Sequence, residues 1–128
     1  MFNRQNNCVY QCKYHILFTT KYRHNVLLGE IREFARQAII EICEELSEIE
    51  LHDLNVLDDH VHLIVTIPPK YSISSFIGTL KGRLSSRILN RYKKFKIKFW
   101  GGHLWSHGYF VRTIGLDENK VREYIKNQ

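Results

Sequence analysis

This 128-residue chain has little of what marks linkers, fibres or secreted scaffolds: two prolines, seven glycines and no low-complexity run. That scarcity excludes a disordered or collagen-like chain. Three cysteines (Cys8, Cys12 and Cys43) are too few and odd in number for a fully paired disulfide framework, and they read as reduced thiols. Cys8, Cys12 and His15 match no common zinc-finger spacing, and a fourth ligand is not evident. No apolar run approaches the length that spans a bilayer. The opening MFNRQNNC lacks the apolar core of a signal peptide. A cytoplasmic protein is expected, with no membrane partner. Acids are also missing where bases crowd. Lys81, Arg83, Arg87, Arg91, Lys93, Lys94, Lys96 and Lys98 follow one another with no Asp or Glu between them.

What is present is enough for one domain over residues 1–128, since 44% of residues are hydrophobic. The net charge of +6 suits a polyanionic partner. Its placement is more telling than its size. Lys13, Lys21 and Arg23 form a second basic group, whereas acids gather in 41–50. Such asymmetry resembles a phosphate-facing surface.

Periodicity divides the chain into seven elements. Residues 9–18 alternate as a strand with Tyr10, Cys12, Tyr14, Ile16 and Phe18 on one face. Residues 30–47 place Ile31, Phe34, Ala35, Ala38, Ile42 and Leu46 at helical spacing. Strand character returns over 48–57, and the Asp58-Asp59 turn leads into a further strand ending at Pro68-Pro69. Ser72 caps a helix whose buried stripe is Ile73, Phe76, Ile77, Leu80, Leu84 and Ile88. Arg83, Arg87 and Arg91 form a basic row on that helix. Residues 93–107 read as a loop, 109–114 as a short strand broken by Gly115, and 118–128 as a final helix. The order β-α-β-β-α-β-α predicts an α+β, ferredoxin-like (RRM-like) fold. It has four antiparallel strands, helices on one face, and an extra C-terminal helix.

The most informative motif is DDHVHLIV at 58–65. On a strand, His60 and His62 point to one face, roughly 7 Å apart at the backbone. Two neutral imidazoles at that spacing can converge on one divalent metal. An isolated pair is more often two half-exposed polar positions, so the motif needs company. Val61, Leu63, Val65 and Ile67 suit the helix-covered side, which leaves the histidines on the open face of a central strand. On the last helix, Tyr124 and Gln128 share a face at i and i+4. That spacing lets a phenol and an amide oxygen face the same metal, and equally suits an ordinary amphipathic helix.

Five segments in order carry a resemblance across nearly the whole chain: CKYHILFTTKYRHNVL at 12–27, DDHVHLIV at 58–65, LKGRLSSRIL at 80–89, LWSHGYFVRTIG at 104–115 and VREYIKNQ at 121–128. Together they resemble the HUH-type single-tyrosine transposases of IS200-like insertion sequences. The resemblance implies that Tyr124 attacks a single-stranded DNA phosphodiester. The products are a 5′-phosphotyrosine link and a free 3′-OH, and a second transesterification then rejoins strands. It implies His60, His62 and Gln128 as ligands of Mg²⁺ or Mn²⁺. It also implies a homodimer in which one subunit's histidines can pair with the other's tyrosine helix, and a DNA hairpin near the element end as partner. Lys13, Lys21, Arg23, Lys81, Arg83, Arg87 and Arg91 are the candidate DNA contacts. Two alternatives stand beside this reading: a domesticated relative processing palindromic repeats, and a non-catalytic nucleic-acid-binding domain. Lesser candidates are Trp100, Trp105 and Tyr109 for base stacking, with core packing favoured for at least one tryptophan, and Asp59, either as an acceptor orienting His60 or only as a residue of the turn. His15, His24, His52, His103 and His107 read as ordinary.

Overall fold

A computed structural model describes residues 12–94 and 104–116. The elements are β1 (Cys12–Thr19), α1 (Gly29–Glu45), β2 (Glu50–Val56), β3 (His60–Ile67), α2 (Ile73–Arg91) and β4 (Phe110–Leu116). The expected final helix, with Tyr124 and Gln128, lies outside the described residues, as do Cys8, Tyr10, Trp100 and His103.

The strands form one antiparallel sheet in the order β2-β3-β1-β4, the ferredoxin-like order expected. Alternation does the sorting. In β1, Cys12, Tyr14, Ile16 and Phe18 are buried while the residues between them are half-exposed. In β3, Val61, Leu63, Val65 and Ile67 are buried against the helices. The helices answer with Ala35, Ala38, Ile39, Ile42 and Cys43 from α1, and Phe76, Ile77, Leu80, Leu84 and Ile88 from α2. Ser72 caps α2 as expected, its Oγ accepting from the Ser75 N–H at 3.0 Å.

Three details differ from the sequence pattern. Gly115 does not end β4; the strand runs through it to Leu116, with the glycine at φ +140 where the β1–β4 register shifts between Lys13 and Tyr14. A left-handed glycine in a bulge bends the strand without terminating it. Residues 104–106 are not loose. Lys21 N–H donates to the Leu104 carbonyl at 2.9 Å and Ser106 N–H to the Thr19 carbonyl at 3.0 Å. This zipper carries Trp105 into the core, edge-on to Phe18 at 4.9 Å between ring centres. Cys12 is disulfide-bonded rather than a reduced thiol, while Cys43 is a free, buried thiol. No helix among the described residues is long and apolar enough to cross a membrane.

Candidate functional site

The two histidines of the motif stand where the pattern placed them, on the sheet face away from the helices. His60 lies across the ladder from Thr19, and His62 lies between Leu17 of β1 and Asn55 of β2. Each is partly buried, whereas the residue between them, Val61, is fully buried.

His60 is held by the turn that precedes it. Its Nδ1 is 2.8 Å from Oδ1 of Asp59, and the other carboxylate oxygen, Oδ2, takes the Arg23 Nε–H at 2.9 Å. The hydrogen bond from Arg23, then that from His60, pulls the Asp59 carboxyl down from 3.8 to about 2. An ionised carboxylate only accepts, so His60 donates from Nδ1, which in the uncharged tautomer leaves the lone pair on Nε2. That is the tautomer-fixing arrangement found behind metal-bound imidazoles. Asp59 thus both shapes the turn and accepts from His60.

Arg23 reaches Asp59 from an unusual backbone. Tyr22 and Arg23, in the 3₁₀ turn Lys21–Arg23, have φ of 57 and 53, a region costly for non-glycine residues. Thr20 ties the turn down. Its N–H donates to the Asp59 carbonyl at 2.9 Å and its hydroxyl to the His24 carbonyl at 2.7 Å. The Leu27 N–H and the Arg32 guanidinium bond to Asp58 in the same way. The 20–27 segment and the Asp58-Asp59 turn thus form one braced unit.

His62 meets a residue that sequence reasoning passed over. Its Nε2 is 3.0 Å from Nε2 of His15, with ring centres 4.4 Å apart and planes at 80°. Its Nδ1 is buried without a hydrogen-bond partner. Burial, then the neighbouring His15 and His60, pushes the His62 pKa down and favours the neutral form a metal requires. A signal for His15 existed: it has the parity opposite to the core residues of β1, and β1 neighbours β3 in a ferredoxin-like sheet. No set of three His, Cys, Asp or Glu side chains surrounds a single point among the described residues. The orphaned His62 nitrogen and the Asp59-backed His60 nevertheless suit a divalent cation completed by a ligand from elsewhere in the chain.

The basic residues divide by their partners. Arg83 and Arg87 bind Glu45 of α1 at 3.0 Å and 2.6 Å, and Arg91 lies 3.6 Å from Glu30. The row expected to face DNA is thus engaged with the acids of α1. Lys81 is half-buried and donates to the Ser106 and Gly108 carbonyls at 3.0 Å and 2.6 Å. Burial lowers its pKa. Lys13 and Lys21 have no carboxylate partner among the described residues, and neither does Arg112, which stands opposite His15 on β4. Lys21, Tyr22, Lys81, Ser85, Trp105 and His107 line a groove of about 660 Å³. The Trp105 Nε1 is buried there without a partner, which places Trp105 in the core rather than on a stacking surface. Tyr22, which drew no attention in the sequence, is 78% exposed at this groove.

Comparison with known proteins gives the family and agrees with the fold. The sequence profile of the family described as "Transposase IS200 like" matches residues 8–128. The transposase for insertion sequence element IS200 of Salmonella typhimurium is 36% identical over 119 residues, covering 93% of this chain and 78% of that protein. The ISDra2 transposase TnpA of Deinococcus radiodurans is 34% identical over 121 residues, covering 94% and 86%. A crystal structure from Deinococcus radiodurans R1 superposes with a TM-score of 0.75 at 33% identity, over 95% of this chain and 94% of that one. The REP-associated tyrosine transposase bound to a REP hairpin shares the fold, with a TM-score of 0.61 at 17% identity over 98% and 68%. The chain belongs to the IS200-like transposase family.

Proposed function

We propose that this transposase cleaves and rejoins single-stranded DNA through Tyr124 at a metal centre held by His60, His62 and Gln128. The observation that carries the reading is the placement of His60 and His62 on one open sheet face, with His60 backed by Asp59 and Arg23. Simple DNA binding needs no such arrangement, which weighs against a non-catalytic module.

The chemistry conserves the phosphodiester. The Tyr124 oxygen attacks phosphorus and the bond to the 3′ oxygen breaks. That oxygen leaves as a 3′-OH, and the 5′ side stays on the tyrosine. A 3′-OH of another strand then attacks the phosphotyrosine and returns the phenol, so no nucleotide is hydrolysed. A bound Mg²⁺ or Mn²⁺ supplies charge neutralisation at the phosphate oxygens. Asp59 keeps the His60 Nε2 lone pair available, and burial keeps His62 uncharged.

The DNA path we infer runs over Lys13, Lys21 and Arg112, which have no carboxylate partner among the described residues, and past the exposed ring of Tyr22. For Arg83 and Arg87, phosphate contact requires displacing Glu45. A hairpin, as bound by the REP-associated relative, suits the groove between α2 and residues 104–108. A homodimer is supported by β4, an edge strand whose Phe110, Val111 and Ile114 are exposed at 74%, 40% and 48%. An apolar edge of this kind is suited to pairing with a second copy.

The test is cleavage of single-stranded oligonucleotides from the element's flanks in Mg²⁺ or Mn²⁺. His60→Ala and His62→Ala are expected to abolish cleavage while retaining the fold by circular dichroism. Full cleavage by either variant removes that histidine from the centre.

A further inference from the structure

The row of side chains that crosses the open face through His62 ends on an aromatic ring. Leu17 stands opposite His62 on one side and opposite Phe110 on the other. Directly opposed residues of antiparallel strands share a face. His62, Leu17 and Phe110 therefore follow one another across β3, β1 and β4, with Phe110 about 10 Å from His62 at two strand spacings. The Phe110 side chain is 74% exposed. We propose that Phe110 is a stacking platform for one unpaired nucleobase of the DNA strand, the base next to the phosphate held at the histidines; this placement rests on the metal-centre reading above.

The surroundings fit a nucleotide better than an apolar partner. Two residues along β4, Arg112 stands on the same face opposite His15, and Lys13 follows on β1 opposite Gly115. Neither β1 nor β4 contains an Asp or Glu. The acids of the sheet strands, Glu50 and Asp53, lie on β2 at the far edge. A sugar–phosphate chain crossing β4 and β1 thus meets cations and no carboxylate, while its base meets a flat apolar ring. Sheet faces and grooves that hold single strands combine the same two contacts, ring against base and cation against backbone. Every base has a π-face, so stacking is sequence-tolerant, and Phe110 positions the strand rather than reading it. Pairing of β4 with a second copy would use the backbone edge of the strand and leave the Phe110 ring on the open face.

The experiment measures binding of single-stranded oligonucleotides spanning the cleavage site to the full-length Tyr124→Phe protein. Bases are removed one at a time as abasic sites, with and without Phe110→Ala. Cleavage of the same oligonucleotides by the wild type in Mn²⁺ is mapped separately. Phe110→Ala is expected to weaken binding about 5- to 150-fold. Removing the base next to the cleaved phosphate should cost as much, and the two losses should not add. Phe110→Tyr is expected to keep the affinity, and Phe110→Leu, apolar without an aromatic face, to lose it. Additive losses at every position overturn the proposal, as does full affinity in Phe110→Leu. If Phe110→Ala changes only the oligomeric state in sedimentation and leaves DNA affinity intact, the ring is a contact between copies and the proposal falls. Non-additivity at a base remote from the cleaved phosphate overturns the placement beside the histidines. If the wild type cleaves nothing in Mn²⁺ while one abasic position still fails to add, the metal-centre reading fails and the stacking platform stands.

Discussion

Asp59 stands between Arg23 and His60 and gives one carboxylate oxygen to each, at 2.9 Å and 2.8 Å. The chain of hydrogen bonds from a strained turn to the His60 imidazole joins two segments far apart in sequence. Asp59→Asn leaves one acceptor oxygen for the two donors, Arg23 and His60, and is expected to weaken Mn²⁺ binding about 10- to 100-fold. Arg23→Ala should weaken it less, because the carboxylate remains. Calorimetric titration of both variants checks the order. If Arg23→Ala lowers DNA affinity and leaves Mn²⁺ affinity untouched, Arg23 is a phosphate contact instead.

Glu45 ties α1 to α2 by accepting from both Arg83 and Arg87. The Arg87 hydrogen bond is the main cause of its lowered pKa. A depressed carboxylate stabilises the fold fully above its unfolded pKa, and the contribution is lost as pH falls through the folded value. Glu45→Gln is therefore expected to flatten the acid limb of the stability curve, with little change at neutral pH. The same variant removes the carboxylate from Arg83 and leaves Arg87 only the more distant Glu41, at 3.9 Å. It should tighten single-stranded DNA binding and steepen its salt dependence if those arginines lie on the DNA path. Filter binding across a salt series reads this out. An unchanged slope would place the DNA elsewhere.

Adjacent residues of β3 should differ sharply in their effect on stability. Leu63 is fully buried against the helices, and Leu63→Ala is expected to cost about 2–5 kcal/mol. His62→Ala, one residue earlier and on the open face, removes a ring with an unpartnered buried nitrogen and should cost much less. Urea unfolding of the two variants tests the assignment of faces. Equal losses would mean that His62 is a core residue.

The Cys43 thiol is pushed up from 9.0 to about 12 by burial and then by Glu44. Its neutral form is favoured in the fold, so its contribution to stability is present below pH 9 and declines as pH rises toward 12. At pH 8 the native protein should alkylate at Cys43 only through unfolding. Peptide mapping after iodoacetamide treatment, with and without urea, checks this. Rapid labelling of the native protein would contradict it.

Much of the architecture was legible because alternation and helical spacing report burial directly. Cys12, Tyr14, Ile16 and Phe18 marked the covered face of β1, and the stripe from Phe76 to Ile88 marked α2. Within the site, His60, His62 and Asp59 were legible because a strand and the turn before it fix them locally. The contact of His15 with His62 was not, because it depends on β1 lying beside β3, a relation between residues 47 apart in sequence. The engagement of Arg83 and Arg87 by Glu45 was hidden for the same reason. A basic row on one helix does not reveal which acids face it. Gly115 misled because a glycine that ends a strand and one that bulges it look alike in sequence.

The proposed covalent catalysis by Tyr124 can be read directly on a gel. Labelled single-stranded DNA from the element's flanks is incubated with protein and Mn²⁺ and run on a denaturing gel, beside Tyr124→Phe and a chelated control. The account predicts a protein–DNA adduct, with release of a 3′-OH fragment, that disappears both in Tyr124→Phe and on chelation. An adduct that persists in Tyr124→Phe, or tight hairpin binding with no adduct under any divalent metal, would contradict it.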